Sequence, residues 1–218
     1  MTRIKICGIT TTEDARFCEE LGVDALGLNF YPPSPRYIAP KECAGILNAV
    51  SPLISLVGVF VDTPVNLMTA LAYQLGLRGV QIHGKLPTHE NSFPFGLIPA
   101  FRVREQADID QIHKHLEHLT SSGNRPSAII VDGFHPEFHG GSGITAPWDL
   151  LAGQSFSVPL ILAGGLTPEN VAQAISIVRP FAVDVASGVE SAPGKKDRRL
   201  LQQFVTAVRS VSDANRTM

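Results

Sequence analysis

The stretch LILAGGLTPEN, residues 160–170, decides how the rest of the chain is interpreted. It is an apolar run followed by a glycine pair and a helix start, with Thr167 expected as the N-cap and Pro168 as the first helical residue. Two glycines let a backbone pass close to a ligand, and amides at such a turn favour an anion, usually phosphate. Taken alone, the stretch fits a plain strand-to-helix turn equally well.

A second stretch of the same kind, AVDVASGVE at residues 182–190, follows one predicted helix later. Its apolar run also ends in a small, glycine-containing turn. In (β/α)8 barrels, phosphate is often held by the loops after strands seven and eight. Two such turns in succession, late in the chain, therefore predict one phosphate held between them.

Length and composition exclude several classes of protein. A chain of 218 residues with 44% hydrophobic and 17% charged residues fits one globular domain. The formal net charge of -2 offers no basic excess for nucleic acid and no polybasic run for a membrane surface. No signal peptide or membrane-spanning stretch is visible, and three unpatterned cysteines suit a reducing compartment, so a cytoplasmic location is expected.

The whole chain alternates between strand-like and helix-like stretches. Alternation implies parallel strands joined by crossover helices. Eight strands and about eight helices in a domain of this size predict an α/β fold, a single-domain (β/α)8 TIM barrel over residues 1–211, with a frayed tail at 212–218. An open doubly wound sheet is the alternative, although no G-x-G-x-x-G follows the first strand. The predicted strands are 3–7, 24–30, 54–61, 79–83, 97–103 and 127–132, followed by the two glycine-ended runs.

Three further segments matter for the site. The proline-rich segment 31–40 cannot be a helix interior, so it is predicted as a loop over the barrel mouth that carries Arg36. Residues 133–145 form a loop long enough to be a lid. The last helix is predicted over 195–211.

Polar residues stand where the predicted strands end, and in such barrels those ends face the active site. Because they come from different strands, they could converge on one ligand. They are Cys7, Asn29, Asp62, His83, Arg102, Asp132 and Asp184.

Each of these residues also has a structural interpretation. A thiol such as Cys7 can act as a base, but a free cysteine is more often a small buried hydrophobe. Asp132 suits a general acid at the rim of an apolar barrel, or a structural partner for a basic residue. Arg36 could pair with a planar carboxylate or remain solvated, and His83 could touch substrate or pack.

A metal site is not expected. His135 and His139 flank Glu137, but a glycine-rich loop offers neither rigid ligands nor the supporting partners that hold them.

Seven stretches together resemble the phosphoribosylanthranilate isomerases, (β/α)8 enzymes of the tryptophan pathway, and they occur in family order along nearly the whole chain. They are KICGI at 5–9, SPRY at 34–37, VQIHG at 80–84, Asp132 with GGSG at 140–143, LAGGLTPENV at 162–171, VDVASGVE at 183–190 and PGKKD at 193–197.

The resemblance implies an Amadori rearrangement of phosphoribosylanthranilate to 1-(2-carboxyphenylamino)-1-deoxyribulose 5-phosphate. It implies Cys7 as general base, Asp132 as general acid, and Arg36 as the residue that binds the anthranilate carboxylate. It places Asp184 near the substrate, and His83 is a further candidate there. The residues that it assigns to the phosphate are Gly164, Gly165, Ser187 and Gly188.

The expected ligand is thus a small phosphoribosyl compound, with no cofactor, and the expected assembly is a monomer or a homodimer. Two alternatives stay open. The related histidine-pathway sugar-phosphate isomerase would be expected to carry Asp at the end of strand one, so Cys7 counts against it. A non-catalytic phosphosugar-binding barrel would keep the glycines without needing Cys7 or Asp132.

Overall fold

Eight parallel strands close into a barrel in a computed structural model, which describes residues 1–86, 93–132 and 148–214, with side chains described as far as residue 211. The barrel strands are β1 (Arg3–Cys7), β2 (Ala25–Asn29), β3 (Ser55–Val61), β4 (Gly79–His83), β5 (Gly96–Arg102), β6 (Ile129–Asp132), β7 (Leu160–Ala163) and β8 (Ala182–Val185). Each strand pairs with the next, and β1 pairs with β8 to close the ring. The prediction of a (β/α)8 barrel is confirmed.

Helices join the strands on the outside of the barrel. They are α1 (Thr12–Glu20), α2 (Cys43–Ala49), α3 (Val65–Gln74), α4 (Gln106–Ser121), α5 (Trp148–Leu151), α6 (Val171–Val178) and α7 (Arg198–Ala214). In the part of the chain that the structure describes, no helix is both long and apolar enough to cross a membrane.

The sequence pattern explains the local structure well in α1 and α4. The Thr11 side chain accepts a hydrogen bond of 3.1 Å from the Asp14 N–H, and Gly22 ends the α1 segment at φ +70°. In α4, Ile109, Ile112 and Leu116 recur at helical spacing, and this apolar stripe is buried.

Two predicted helix starts are wrong. Helix α6 begins at Val171, not at Pro168, because residues 168–170 form a separate turn and Asn170 takes the N-cap position. Helix α7 begins at Arg198 and not at residue 195. A short hairpin, β9 (Glu190–Ala192) and β10 (Lys195–Lys196), occupies the chain before it.

Local chemistry explains the hairpin. Gly194 takes φ +80° in the turn between its strands, and the Asp197 carboxylate accepts from two N–H groups of the first turn of α7.

At its other end, α7 continues to Ala214, three residues beyond the predicted domain boundary. Residues 215–218 and the predicted lid at 133–145 lie outside the described residues.

Two layers of apolar side chains make up the core. The larger lies between the strands and the helices, and the smaller one, which includes Val57, Ile130 and Ala182, lies inside the barrel. Side chains two residues apart on a strand share a face. Asp184 therefore follows Ala182 on the inner face of β8, above the apolar layer, and this periodicity directs the polar strand ends toward the barrel mouth.

Candidate active site

A cavity of about 650 Å³ opens at the carboxyl ends of the barrel strands. All nine residues that the sequence singled out for the site line it. They are Cys7, Arg36, His83, Asp132, Gly164, Gly165, Asp184, Ser187 and Gly188. Asn29 and Arg102 line it too, so six of the seven polar strand ends converge, as the strand-end argument predicted.

Asp62 is the exception. Its backbone turns away at φ +46°, and its carboxylate accepts from the Lys85 N–H at 3.3 Å. The residue therefore braces the loop after β4 and does not line the cavity, so the expectation that it joins the other strand ends is wrong.

Cys7 ends β1 with its thiol buried. Burial raises the pKa of the thiol, while the nearby Lys5 and Lys196 ammonium groups oppose that rise. Gly27, opposite Cys7 on β2, makes room for the group: a Cβ there would lie 2.9 Å from Cys7 Sγ and 3.1 Å from Lys5 Nζ. The thiol and the ammonium therefore share one small space inside the barrel.

Lys5 is a functional candidate that sequence reasoning missed. It is buried, and its Nζ lies 2.8 Å from the Asp184 carboxylate, which stands directly opposite it in the β1–β8 register. Its pKa is raised although burial opposes this, because Asp184 and the nearby Cys7 favour the ammonium. The sequence did contain a signal for this residue, because side chains two positions apart on a strand share a face and Lys5 stands two positions before Cys7.

Asp132 ends β6 and stands opposite Arg102 of β5 in the strand register. Both residues line the cavity, and they enter it from a different part of the ring than Cys7 on β1. The barrel can therefore present a carboxyl group and a thiol to one ligand from two directions.

His83 reaches the cavity from the end of β4, with its Nε2 2.8 Å from Gln81 Nε2. Partial desolvation in the barrel mouth lowers the pKa of the imidazole, and the Lys5 and Arg102 cations lower it further. We therefore expect a neutral His83 at pH 7.

Gln81 is a second residue that sequence reasoning missed. Its side chain is buried and lines the cavity, and its Oε1 has no hydrogen-bond partner among the described residues. An unpaired buried acceptor costs about 1–3 kcal/mol. A hydroxyl of a bound sugar is a group that could satisfy it.

Arg36 stands over the cavity on the loop after β2, with about a quarter of its side chain exposed. Its guanidinium donates two hydrogen bonds to the carboxylate of Glu190, from Nε to Oε1 at 2.8 Å and from Nη2 to Oε2 at 2.7 Å. This pairing raises the pKa of Arg36, which stays cationic. Sequence reasoning placed Arg36 at the mouth but did not find Glu190 as its partner.

The two glycine-containing turns meet at the cavity. Gly164 and Gly165 have φ values of +86° and +61°, a left-handed pair that only glycine adopts readily and that turns the backbone sharply at the cavity wall. A side chain at Gly188 would overlap the carbonyl group of Leu166, so only glycine lets the second turn approach the first. The predicted adjacency of the two turns is present.

Asn170 braces the first turn, because its side-chain amide donates to the Gly165 carbonyl at 2.9 Å and its side-chain oxygen accepts from the Thr167 N–H at 2.8 Å.

Within residues 1–86, 93–132 and 148–211, no cluster of three or more His, Cys, Asp or Glu could hold a metal ion. His135, Glu137 and His139 lie outside the described residues.

Residues 4–207 match the family model described as N-(5'-phosphoribosyl)anthranilate (PRA) isomerase. A relative of that name from Geobacter sulfurreducens is 42% identical over 206 residues, which cover 94% of this chain and 97% of the relative. One from Geobacter metallireducens is 40% identical over 206 residues, covering 94% of this chain and 98% of the relative.

Solved structures agree with these relatives. The phosphoribosyl anthranilate isomerase from Thermotoga maritima superimposes with a TM-score of 0.83 at 38% identity, covering 96% of this chain and all of that one. A structure at 36% identity and a TM-score of 0.77, with 96% and 100% coverage, is a complex with reduced 1-(o-carboxyphenylamino)-1-deoxyribulose 5-phosphate. A third, at 36% identity and a TM-score of 0.75, is described as mutually generated monomers of the dimeric Thermotoga maritima enzyme, with coverage of 96% and 99%.

Proposed function

The chain belongs to the family of N-(5'-phosphoribosyl)anthranilate isomerases, and we propose which of its residues carry out the isomerisation. It rearranges phosphoribosylanthranilate to 1-(2-carboxyphenylamino)-1-deoxyribulose 5-phosphate, a step of tryptophan biosynthesis. The single observation that carries the assignment of roles is that Cys7, Asp132 and both glycine turns line one cavity.

Asp132 is the general acid. It protonates the ring oxygen of the ribose, the ring opens, and the nitrogen lone pair forms a protonated Schiff base with C1. Cys7, as thiolate, then removes the proton from C2, and the electron pair moves into the C1–C2 bond while the iminium nitrogen accepts electrons. The enolamine that results tautomerises to the ketone. Protons pass between the substrate and these two side chains, and electron pairs move only within the substrate. The sequence of steps therefore needs no external oxidant or reductant.

Lys5 favours the form of Cys7 that this mechanism needs. A buried thiol is a poor base because burial disfavours the thiolate, and the pKa of Cys7 is raised accordingly. The nearby ammonium of Lys5 acts in the opposite direction. Asp184 keeps Lys5 charged and in place, so its role near the substrate includes holding this cation.

The ends of the substrate are bound at two places in the mouth. The left-handed turn at Gly164 and Gly165, together with Ser187 and Gly188, binds the 5'-phosphate through backbone amides. Arg36 binds the anthranilate carboxylate through the edge of its guanidinium that Glu190 leaves open. His83 contacts the substrate as a neutral imidazole.

Steady-state turnover of phosphoribosylanthranilate, followed by the loss of anthranilate fluorescence, tests these roles. We expect turnover to fall by about 10²-fold or more in Cys7→Ala and in Asp132→Asn, as is typical when a general acid or base is removed. Both variants should bind the reduced product analogue nearly as tightly as the parent chain. A Cys7→Ala variant at the parent rate would overturn the assignment of the base. Large loss of binding in Asp132→Asn would make Asp132 a structural partner.

We also propose that the barrel of residues 1–211 is the catalytic unit, and that it works in the cytoplasm as a monomer or a homodimer. The balanced charge and the dimeric relative from Thermotoga maritima support this proposal. Sedimentation at micromolar concentration separates the two states, and a higher oligomer would contradict both.

A further inference from the structure

Two buried charged residues beside the site, Glu190 and Lys196, have no contact with substrate in the mechanism above. Their side chains are only 4% and 0% exposed, and neither lines the cavity. Any effect on substrate binding must therefore pass through the groups that they hold or through their charge.

We propose that Glu190, held by Lys196, is the positioning residue that aims Arg36 at the carboxylate of the substrate. This inference rests on the proposed role of Arg36. It extends that role to Glu190, which is 154 positions from Arg36 in sequence and accepts hydrogen bonds from its guanidinium.

The hydrogen bonds define which edge of Arg36 is left for a ligand. A guanidinium has five N–H donors on a planar fork. Glu190 takes the Nε–H and one Nη2–H, at 2.8 and 2.7 Å. The remaining Nη2–H and one Nη1–H form the end of the fork, which can make a two-point contact with a second carboxylate. Arg36 can thus bind Glu190 and substrate at the same time, from different edges.

Lys196 fixes Glu190 relative to the catalytic groups. Its three N–H groups match three oxygens: Glu190 Oε1 at 2.9 Å, the Cys7 carbonyl at 2.6 Å and the Ala186 carbonyl at 3.0 Å. One ammonium thereby connects the carboxylate behind Arg36 to the strand end that carries Cys7 and to the start of the second phosphate turn. The distance between the carboxylate site and the other two subsites is set by this connection.

The surrounding backbone leaves Arg36 little freedom to move. A Cβ at Gly8 would lie 2.5 Å from the Arg36 Cδ, and one at Gly194 would lie 2.5 Å from the Pro35 carbonyl. The Thr10 hydroxyl donates to the Gly194 carbonyl at 3.1 Å. The hairpin β9–β10 therefore packs directly on the loop of Arg36.

Charge balance agrees with the geometry. Two cations and one anion leave one net positive charge beside the place where a carboxylate binds. The pKa of Glu190 is lowered although burial opposes this, because Arg36 and Lys196 both hydrogen-bond to it. Glu190 is therefore ionised across the neutral range and holds Arg36 throughout.

The test compares Glu190→Gln with the parent chain on two ligands. One is the reduced product analogue with its carboxyl group, and the other is the matching anilino compound without it. An amide keeps the shape but cannot bind both Nε–H and Nη2–H as a carboxylate does. We expect the affinity for the carboxylated ligand to fall about tenfold, equal to about 1.4 kcal/mol. Affinity for the ligand without the carboxyl group and inhibition by inorganic phosphate should change less than about twofold.

A double-mutant cycle separates positioning from general destabilisation. In an Arg36→Met background, Glu190→Gln should cost no further affinity for the carboxylated ligand, since Glu190 acts only through Arg36. Glu19→Gln is the matched control, because its carboxylate accepts from the Ser51 N–H on the outer surface. It should leave both affinities unchanged.

Equal losses for both ligands, or an additive cycle, would overturn the inference. If Glu190→Gln fails to fold, Glu190→Asp keeps the charge near Lys196 but withdraws it by one methylene from Arg36, and the same selective loss is expected. Failure of the proposed function looks different: the parent chain itself would then not turn over phosphoribosylanthranilate.

Discussion

Lys5→Met is the sharpest test of how the buried thiol becomes a base. Lys5 Nζ and Cys7 Sγ both lie close to one point above Gly27, at 3.1 and 2.9 Å from it. The two atoms are therefore no more than about 6 Å apart. At that distance and an effective dielectric constant of about 20, one unit charge is worth about 3 kcal/mol, or about two pKa units. Asp184, 2.8 Å from Lys5, is present in both the parent and the variant, so its own effect on Cys7 does not enter the difference. We therefore expect the pKa of Cys7 to rise by up to about two units in the variant.

The direction of the effect follows from the charges. The reaction needs thiolate, so kcat/KM rises as the pH rises through the pKa of Cys7. Loss of Lys5 removes a cation that lowers this pKa and leaves the Asp184 anion, which raises it. This ascending limb should move to higher pH, and kcat/KM at pH 7 should fall about 10- to 100-fold, one decade for each pKa unit.

The assay is the pH profile of kcat/KM, together with the ultraviolet absorbance of the thiolate. Burial raises the pKa of Cys18 to about 12 and that of Cys43 to about 11, and both can be replaced by Ala to isolate the signal of Cys7. Lys195→Met removes an exposed lysine as the control. An unmoved limb in Lys5→Met would refute the reasoning.

Three other substitutions test the binding groups. Arg36→Ala should raise KM about tenfold or more with a smaller change in kcat, since one charged hydrogen-bonded contact is worth about 1.5–3 kcal/mol; an unchanged KM would remove Arg36 from the site. Gly188→Ala should weaken competitive inhibition by inorganic phosphate, because the new Cβ overlaps the Leu166 carbonyl and separates the two turns; undiminished inhibition would place the phosphate elsewhere. Gln81→Leu should raise the temperature of unfolding, because it removes a buried acceptor that has no partner in the free protein. It should also weaken substrate binding, because the sugar hydroxyl loses that acceptor. Unchanged binding with a lower unfolding temperature would show that Gln81 serves packing alone.

The fold was predictable because it depends on local patterns. Apolar runs buried on both faces, caps such as Thr11 and stops such as Gly22 act over a few residues, and strict alternation then leaves few topologies. The convergence of Cys7 and Asp132 was predictable for the same reason, since parallel strands bring their carboxyl ends to one edge. Where two local signals compete, as at Pro168, the pattern indicated a start and the structure moved it by three residues.

The sequence by itself therefore determined the barrel, the residues at its mouth and the two glycine turns, each of which follows from spacing along the chain. Only the tertiary structure decided which charges meet. The pairs Lys5–Asp184 and Arg36–Glu190 are each separated by more than 150 residues in sequence. The partner of Glu190 on its other side, Lys196, lies in a hairpin that the sequence pattern had indicated as the start of a helix. A buried charge is stable only beside its partner, and that partner is known only once the ring has closed.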